Sequence, residues 1–163
     1  MNLRVAPCCR AWLAVCLAFS LALPAHADGW AVKRVPDPQG GRSRCMLESP
    51  RQVIDDGYTM TPVRVRIDAR LVQVVTESDI DLGFGDVGLR VDDGDLLRPD
   101  AVHAQQGLVF LKDAARHIES LRQGRTLYVD LRFWPTWPSR GRRTARFDLD
   151  GLVPALAQLP ADC

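Results

Sequence analysis

The densest set of reactive side chains in the sequence is acidic. Asp79, Asp81, Asp86, Asp92, Asp93, Asp95 and Asp100 fall between residues 79 and 100. Such a set could offer oxygen ligands to calcium, and Asp92, Asp93 and Asp95 are the best candidates. Their spacing does not follow the ligand alternation of an EF-hand loop, and Gly94 comes after two adjacent acids. Two of the carboxylates could instead carry glycoside hydrolysis, provided a cleft held them at a fixed separation. The competing reading is conformational, because aspartates between short strands accept backbone N–H groups and close turns. The sequence favours turn chemistry, with no metal and no cofactor.

A second constellation runs from Arg132 to Arg146. Trp134, Pro135, Trp137 and Pro138 are followed by Arg140, Arg142 and Arg143. Trp and Arg are the types most enriched at binding hot spots, and proline stiffens a loop and lowers its ordering cost. Arg132, Trp134, Trp137, Arg140, Arg142 and Arg143 therefore form the candidate binding surface, suited to an acidic protein patch, a lipid headgroup or a glycan. The plainer alternative is packing: Trp134 over a sheet edge, Trp137 on Pro135, and arginines solvating a return strand.

The remaining candidates for catalysis are sparse. His103 and His117 stand at no ligand spacing from a cysteine, and His117 falls beside the apolar stripe of its helix, where it is expected to face solvent. Ser43, Ser49, Ser78, Ser120 and Ser139 lie in no Gly-x-Ser-x-Gly setting. The sequence holds no phosphate loop, no dinucleotide fingerprint and no His-Glu-x-x-His. A non-enzyme is expected, with a hydrolase built on the 79–100 stretch as the weakest reading.

The amino-terminal segment fixes the expected compartment. Arg4 and Arg10 precede and flank an apolar run from Ala11 to Leu23, and Ala25, His26 and Ala27 supply a small-residue cleavage site. This is the layout of a secretory signal peptide over residues 1–27, leaving one β-rich domain from 28 to 163. The apolar run is shorter than the roughly 20 residues a spanning helix needs, and no other follows, so no transmembrane segment is expected after cleavage. Of five cysteines, Cys8, Cys9 and Cys16 leave with the leader. The surviving pair, Cys45 and Cys163, is expected to form a disulfide in a periplasmic or secreted protein. In the chain-entropy model a bridge closing so long a loop is worth roughly 4 to 5 kcal/mol. Losing Arg4 and Arg10 turns the formal net charge of +1 slightly negative, which argues against a charge-driven grip on nucleic acid.

The elements that must position these residues read as short strands. With 47% hydrophobic and 25% charged residues, composition excludes a disordered, collagenous or multi-span membrane chain. Strands are expected at 30–35, 44–48, 52–54, 62–68, 71–76, 80–82, 87–91, 108–111, 126–134 and 144–149, from their period-two patterns and the Gly, Pro and Asp between them. Leu111, Ala114, Ala115, Ile118 and Leu121 recur at helical spacing, with Asp113 as the expected cap and Gly124 beyond the end. A second helix at 152–159 is expected to be capped by Asp150, with Pro154 in its first turn. Most gaps are too short for crossover helices. The fold class is mainly β: an antiparallel β-sandwich or flattened barrel with one or two short helices.

Four short runs resemble the invasion-associated locus B proteins, small exported bacterial β domains. They are Gly29 and Trp30 at the mature start, Arg44 to Leu47 in an early strand, Leu121 to Gly124 leading into Arg125 to Val129, and Phe147 to Leu156 at the end. The chain departs from that family where no cysteine follows Trp30 in the first strand and where a mid-chain cysteine pair is absent. The resemblance implies a periplasmic or secreted non-enzymatic protein, linked to invasion or envelope function, with no catalytic residue to carry over. Residues and resemblance together point to an exported binding or envelope-accessory domain with a protein or envelope-component partner. The alternative is a periplasmic inhibitor or immunity-type protein that binds one enzyme.

Overall fold

The structure is a computed structural model that describes residues 29–36, 43–104, 106–135 and 141–160. Among them the chain runs through β1 (Ala31–Val35), β2 (Arg44–Glu48), β3 (Gln52–Asp55), β4 (Met60–Ile67), β5 (Val72–Thr76), β6 (Gly88–Val91), β7 (Ala101–His103) and β8 (Gly107–Phe110). It continues as α1 (Ala114–Gln123), β9 (Thr126–Leu131), β10 (Arg143–Asp148) and α2 (Leu152–Leu156). Seven strands form one antiparallel sheet in the order β1-β2-β4-β5-β8-β7, with β3 also paired to β4; the others form a second in the order β10-β9-β6. The fold is thus mainly β with two short helices, and the two sheets are open, not closed into one barrel.

Strict alternation in the sequence produces the core. In β4, Val63, Val65 and Ile67 are fully buried while Arg64 and Arg66 stay half-exposed on the other face. Leu127, Val129 and Leu131 do the same in β9, and Ala145 and Phe147 in β10. Together with Leu47, Val72, Val74, Leu89, Leu108 and Phe110 they make one continuous cluster between the sheets. Trp30 closes its edge, its indole N–H donating to the Asp148 carbonyl at 3.2 Å.

Polar side chains repair the ladder where the chain bends. Pro50 interrupts what would be one long strand made of β2 and β3 along the same edge of β4. Beside it the buried Ser49 hydroxyl accepts the Val65 N–H at 2.9 Å, and the Ser49 N–H donates to the Val65 carbonyl at 2.8 Å. At the β4–β5 turn the Asp68 carboxylate accepts the N–H groups of Arg70 at 2.7 Å and Leu71 at 3.0 Å.

Several boundaries differ from expectation. Asp113 stands at the N-cap of α1 as expected, but its backbone is left-handed, at φ 54, and its side chain makes no capping hydrogen bond. Ala115 is exposed, and His117 is half-buried instead of solvent-facing, its ring edge-on to Phe110 at 6.3 Å. Asp150 does not cap α2 either: Gly151 occupies that position at φ 79, a conformation that favours glycine. The expected strand at 80–82 reduces to a single bridge between Ile80 and Phe133, and β9 ends at Leu131. The strand β7 was not expected from its short, mostly exposed sequence; pairing with β8 makes it. Cys45 lies half-buried on β2, and Cys163 lies outside the described residues. Among the described residues no helix is long and apolar enough to cross a membrane.

Candidate binding surface

One end of the sandwich is assembled by the turn between β3 and β4, the 78–79 segment and the chain leaving β9. The Asp56 carboxylate organises the turn, accepting the N–H groups of Tyr58 at 2.7 Å and Thr59 at 2.8 Å through Oδ1. Its Oδ2 accepts the Ser78 hydroxyl at 2.6 Å. One residue on, the Asp79 carbonyl accepts the Trp134 N–H at 2.9 Å. The start of β10 joins the same end, with Arg143 Nη2 at 3.3 Å from Asp55 Oδ2.

These contacts bring Tyr58, Met60 and Trp134 to one end while leaving their side chains 61%, 61% and 58% exposed. Tyr58 and Met60 lie outside the surface the sequence nominated. The available signal is an aromatic residue and a methionine directly after Asp56-Gly57, where polar residues are usual.

The nominated arginines have divided roles. Arg132 forms a two-pronged ion pair with Asp86, both contacts at 2.8 Å, and its guanidinium lies 4.2 Å from the Phe84 ring centre. It thus ties the 82–86 turn to the small sheet. Arg142 approaches Asp130 Oδ1 at 3.5 Å, and Arg143 reaches Asp55, so both hold the base of the loop while remaining accessible. Trp137 and Arg140 lie outside the described residues.

Asp130 behaves differently from what its position in the strand implies. Its place in the alternation puts it on the outer face of β9, yet it is wholly buried. Thr144, directly opposite on β10, donates its hydroxyl to Oδ1 at 2.6 Å, and Arg90 Nη2 stands 3.8 Å from Oδ2, which accepts no hydrogen bond. Arg90 also lies over the Tyr128 ring at 4.7 Å. Arg90 and Arg142 on either side offset the charge of the carboxylate, while Oδ2 stays without a hydrogen bond, so this part of the sheet is a compact network of ion pairs with one buried oxygen unsatisfied.

The acidic stretch is largely occupied by the backbone. Asp81 accepts the Gly83 N–H at 2.8 Å, Asp92 accepts the Arg125 and Thr126 N–H groups, and Asp100 Oδ2 accepts those of Leu111 at 2.7 Å and Lys112 at 2.8 Å. Asp92 and Asp95 line a cavity of about 350 Å³ with Arg116, His117 and Ser120. The Asp92 carboxylate is already held there by two amides, and Asp93 and Asp95 are exposed. Among the described residues no three His, Cys, Asp or Glu side chains are grouped to hold a metal ion.

Two of these carboxylates titrate low. The hydrogen bond from Arg132 holds Asp86 below its ordinary value of 3.8, with the cation's charge adding to it. For Asp100, burial opposes ionisation, but the Lys112 and Leu111 amides outweigh it and the group also lies below 3.8. A depressed carboxylate stabilises the fold above its ordinary pKa and loses that contribution as pH falls through the folded value. Asp86→Asn is therefore expected to melt below the parent protein at pH 7, with the two curves converging as the pH drops below 3.8. Thermal melts across that range check it; a gap independent of pH would remove the ion pair as its cause.

The sequence matches no known protein family, no curated protein and no solved structure.

Proposed function

We propose that the chain is an exported, non-enzymatic binding domain that meets an acidic protein partner of the cell envelope. The contact surface is the end of the sandwich formed by Tyr58, Met60 and Trp134, with Arg142 and Arg143 at its rim. The observation that carries this reading is the exposure of three large side chains at one end, on backbone pinned by Asp56 and Asp79. Large apolar groups left in water on a pre-ordered scaffold lose little entropy on binding and release their hydration when covered. Arginines beside them favour a negatively charged counterpart. The leader-like 1–27 segment and the resemblance to invasion-associated locus B proteins support export and envelope function. In this reading Cys45 and Cys163 are joined.

The test is crosslinking in the organism's own envelope, with the partner identified by mass spectrometry. The intact mass should begin at Asp28 and be two hydrogens light. The double variant Tyr58→Ala/Trp134→Ala should lose the crosslinked partner. Because each exposed substitution usually shifts stability by no more than about 0.5 kcal/mol, its melting temperature should stay within ~4 °C of the parent. A partner retained by the double variant, or a large fall in melting temperature, would assign these side chains to packing.

A further inference from the structure

A groove crosses the outer face of the large sheet where Pro50 separates β2 from β3. It encloses about 350 Å³ and is lined by Ala31 and Lys33 of β1, Glu48, Ser49 and Arg51 at the break, and Arg64 of β4. All lie on or beside adjacent strands of one face, which a sheet spaces about 4.8 Å apart.

Its charges do not balance. Glu48 is the groove's one carboxylate, and it is committed elsewhere: Arg66 Nε donates to Oε2 at 2.8 Å. Arg64 Nε stands 3.8 Å from Oε1, a loose ion pair beyond hydrogen-bonding distance, so Arg64 can turn away without breaking a hydrogen bond to Glu48. Lys33 and Arg51 are exposed, and among the described residues neither has a carboxylate within 4.0 Å. Three cations thus face one cavity with a single carboxylate that serves a fourth. Like charges gathered in this way repel, and an anion with several acceptor oxygens relieves the repulsion while satisfying their N–H groups.

We propose that this groove binds a doubly charged tetrahedral oxyanion, the terminal phosphate group of an envelope component or a free phosphate or sulfate ion. A phosphate monoester carries about 1.5 to 2 negative charges at neutral pH, which offsets most of the excess positive charge, and its three oxygens can take donors from Lys33, Arg51 and Arg64. A lone carboxylate would leave most of the excess uncompensated. Glu48 limits affinity by opposing the incoming anion. The site lies on the large sheet and does not depend on the Tyr58, Met60 and Trp134 surface.

The test is a titration of the exported protein with inorganic phosphate and with sulfate, followed through the backbone amide resonances of Lys33, Arg51 and Arg64. In parallel, the protein is co-sedimented with phosphatidylcholine vesicles with and without phosphatidic acid. Saturable shifts confined to the groove, weakening as sodium chloride rises, are expected from the free ion. Phosphatidic-acid-dependent sedimentation would assign a lipid phosphate as the source. Lys33→Gln and Arg51→Gln should each weaken binding roughly five-fold, as loss of one exposed charge pair does. Glu48→Gln keeps an acceptor for Arg66 and should tighten binding roughly three-fold. Lys112→Gln, on another part of the surface, should change nothing. Binding indifferent to Lys33, Arg51 and Glu48, or no binding to either probe, would overturn the proposal.

Discussion

Phe147→Ala should lower the melting temperature by about 15 °C. Phe147 is 1% exposed, faces inward from β10 opposite Leu127, and belongs to the cluster that joins the two sheets. Truncating a buried phenylalanine removes its transfer free energy and leaves a cavity, together about 4 kcal/mol, and each kcal/mol moves the melting point of a domain this size by roughly 4 °C. That loss is a large part of the ~5 to 15 kcal/mol that holds an ordinary domain together. Phe147→Leu fills most of the space and should recover more than half of the loss. Calorimetry on the three proteins decides it; a fall of only a few degrees for the alanine variant would mean that the sheets do not meet across this ring.

Gly88→Ala should cost about 2 to 4 kcal/mol, a fall of about 10 °C, although it adds one methyl group. A Cβ at Gly88 would stand 2.2 Å from the Leu97 carbonyl oxygen and 3.3 Å from Leu96 Cδ1. The first neighbour is backbone and cannot rotate aside. The edge of β6 must therefore part from Leu97, and the two hydrogen bonds that join Leu89 and Leu97, at 2.9 and 2.7 Å, are lost or stretched. Amide hydrogen exchange gives the specific signature: faster exchange at Leu89 and Leu97, with Val65 and Val74 in the large sheet little changed. A variant as stable as the parent would show that the 95–98 segment does not lie against β6.

The contrast between these two positions mirrors what could be read beforehand. Phe147 lies in the run from Thr144 to Leu149, whose period of two marks it as inward-facing before any coordinate is known. Gly88 gives no such sign, because its constraint comes from Leu97, a neighbour brought in by a turn of irregular backbone. Tyr58 and Met60 carry no local sign for a related reason. Their importance lies in sharing an end with Trp134, which depends on hydrogen bonds from the Ser78 hydroxyl to Asp56 and from the Trp134 N–H to the Asp79 carbonyl. Asp130 is the sharpest case: alternation assigns it outward, and only the approach of Arg90, Arg142 and Thr144 makes that outward position buried.

The acidic stretch shows the reverse. Turn chemistry is local, so Asp81 holding Gly83 follows from two residues of separation. Asp100 holding Leu111 and Lys112 does not, because the chain runs out through β7 and back through β8 between them. Arg132 changed role altogether. Composition offered it as a contact residue, whereas Asp86, far away in sequence, holds it in a two-pronged pair under which Phe84 lies.

By itself the sequence determined the mainly β class, the inward face of nearly every long strand, and the turns that separate them. Each of these depends on residues within a few positions of one another, where backbone sterics and the two-residue period act directly. Only the tertiary structure decided that the strands divide into two open sheets, that Tyr58 and Met60 join Trp134, and that three cations surround a groove holding one carboxylate. Those are properties of pairings between distant segments, and the free energy that selects them comes from burying Phe147, Phe110 and their neighbours together, which no short window of sequence contains.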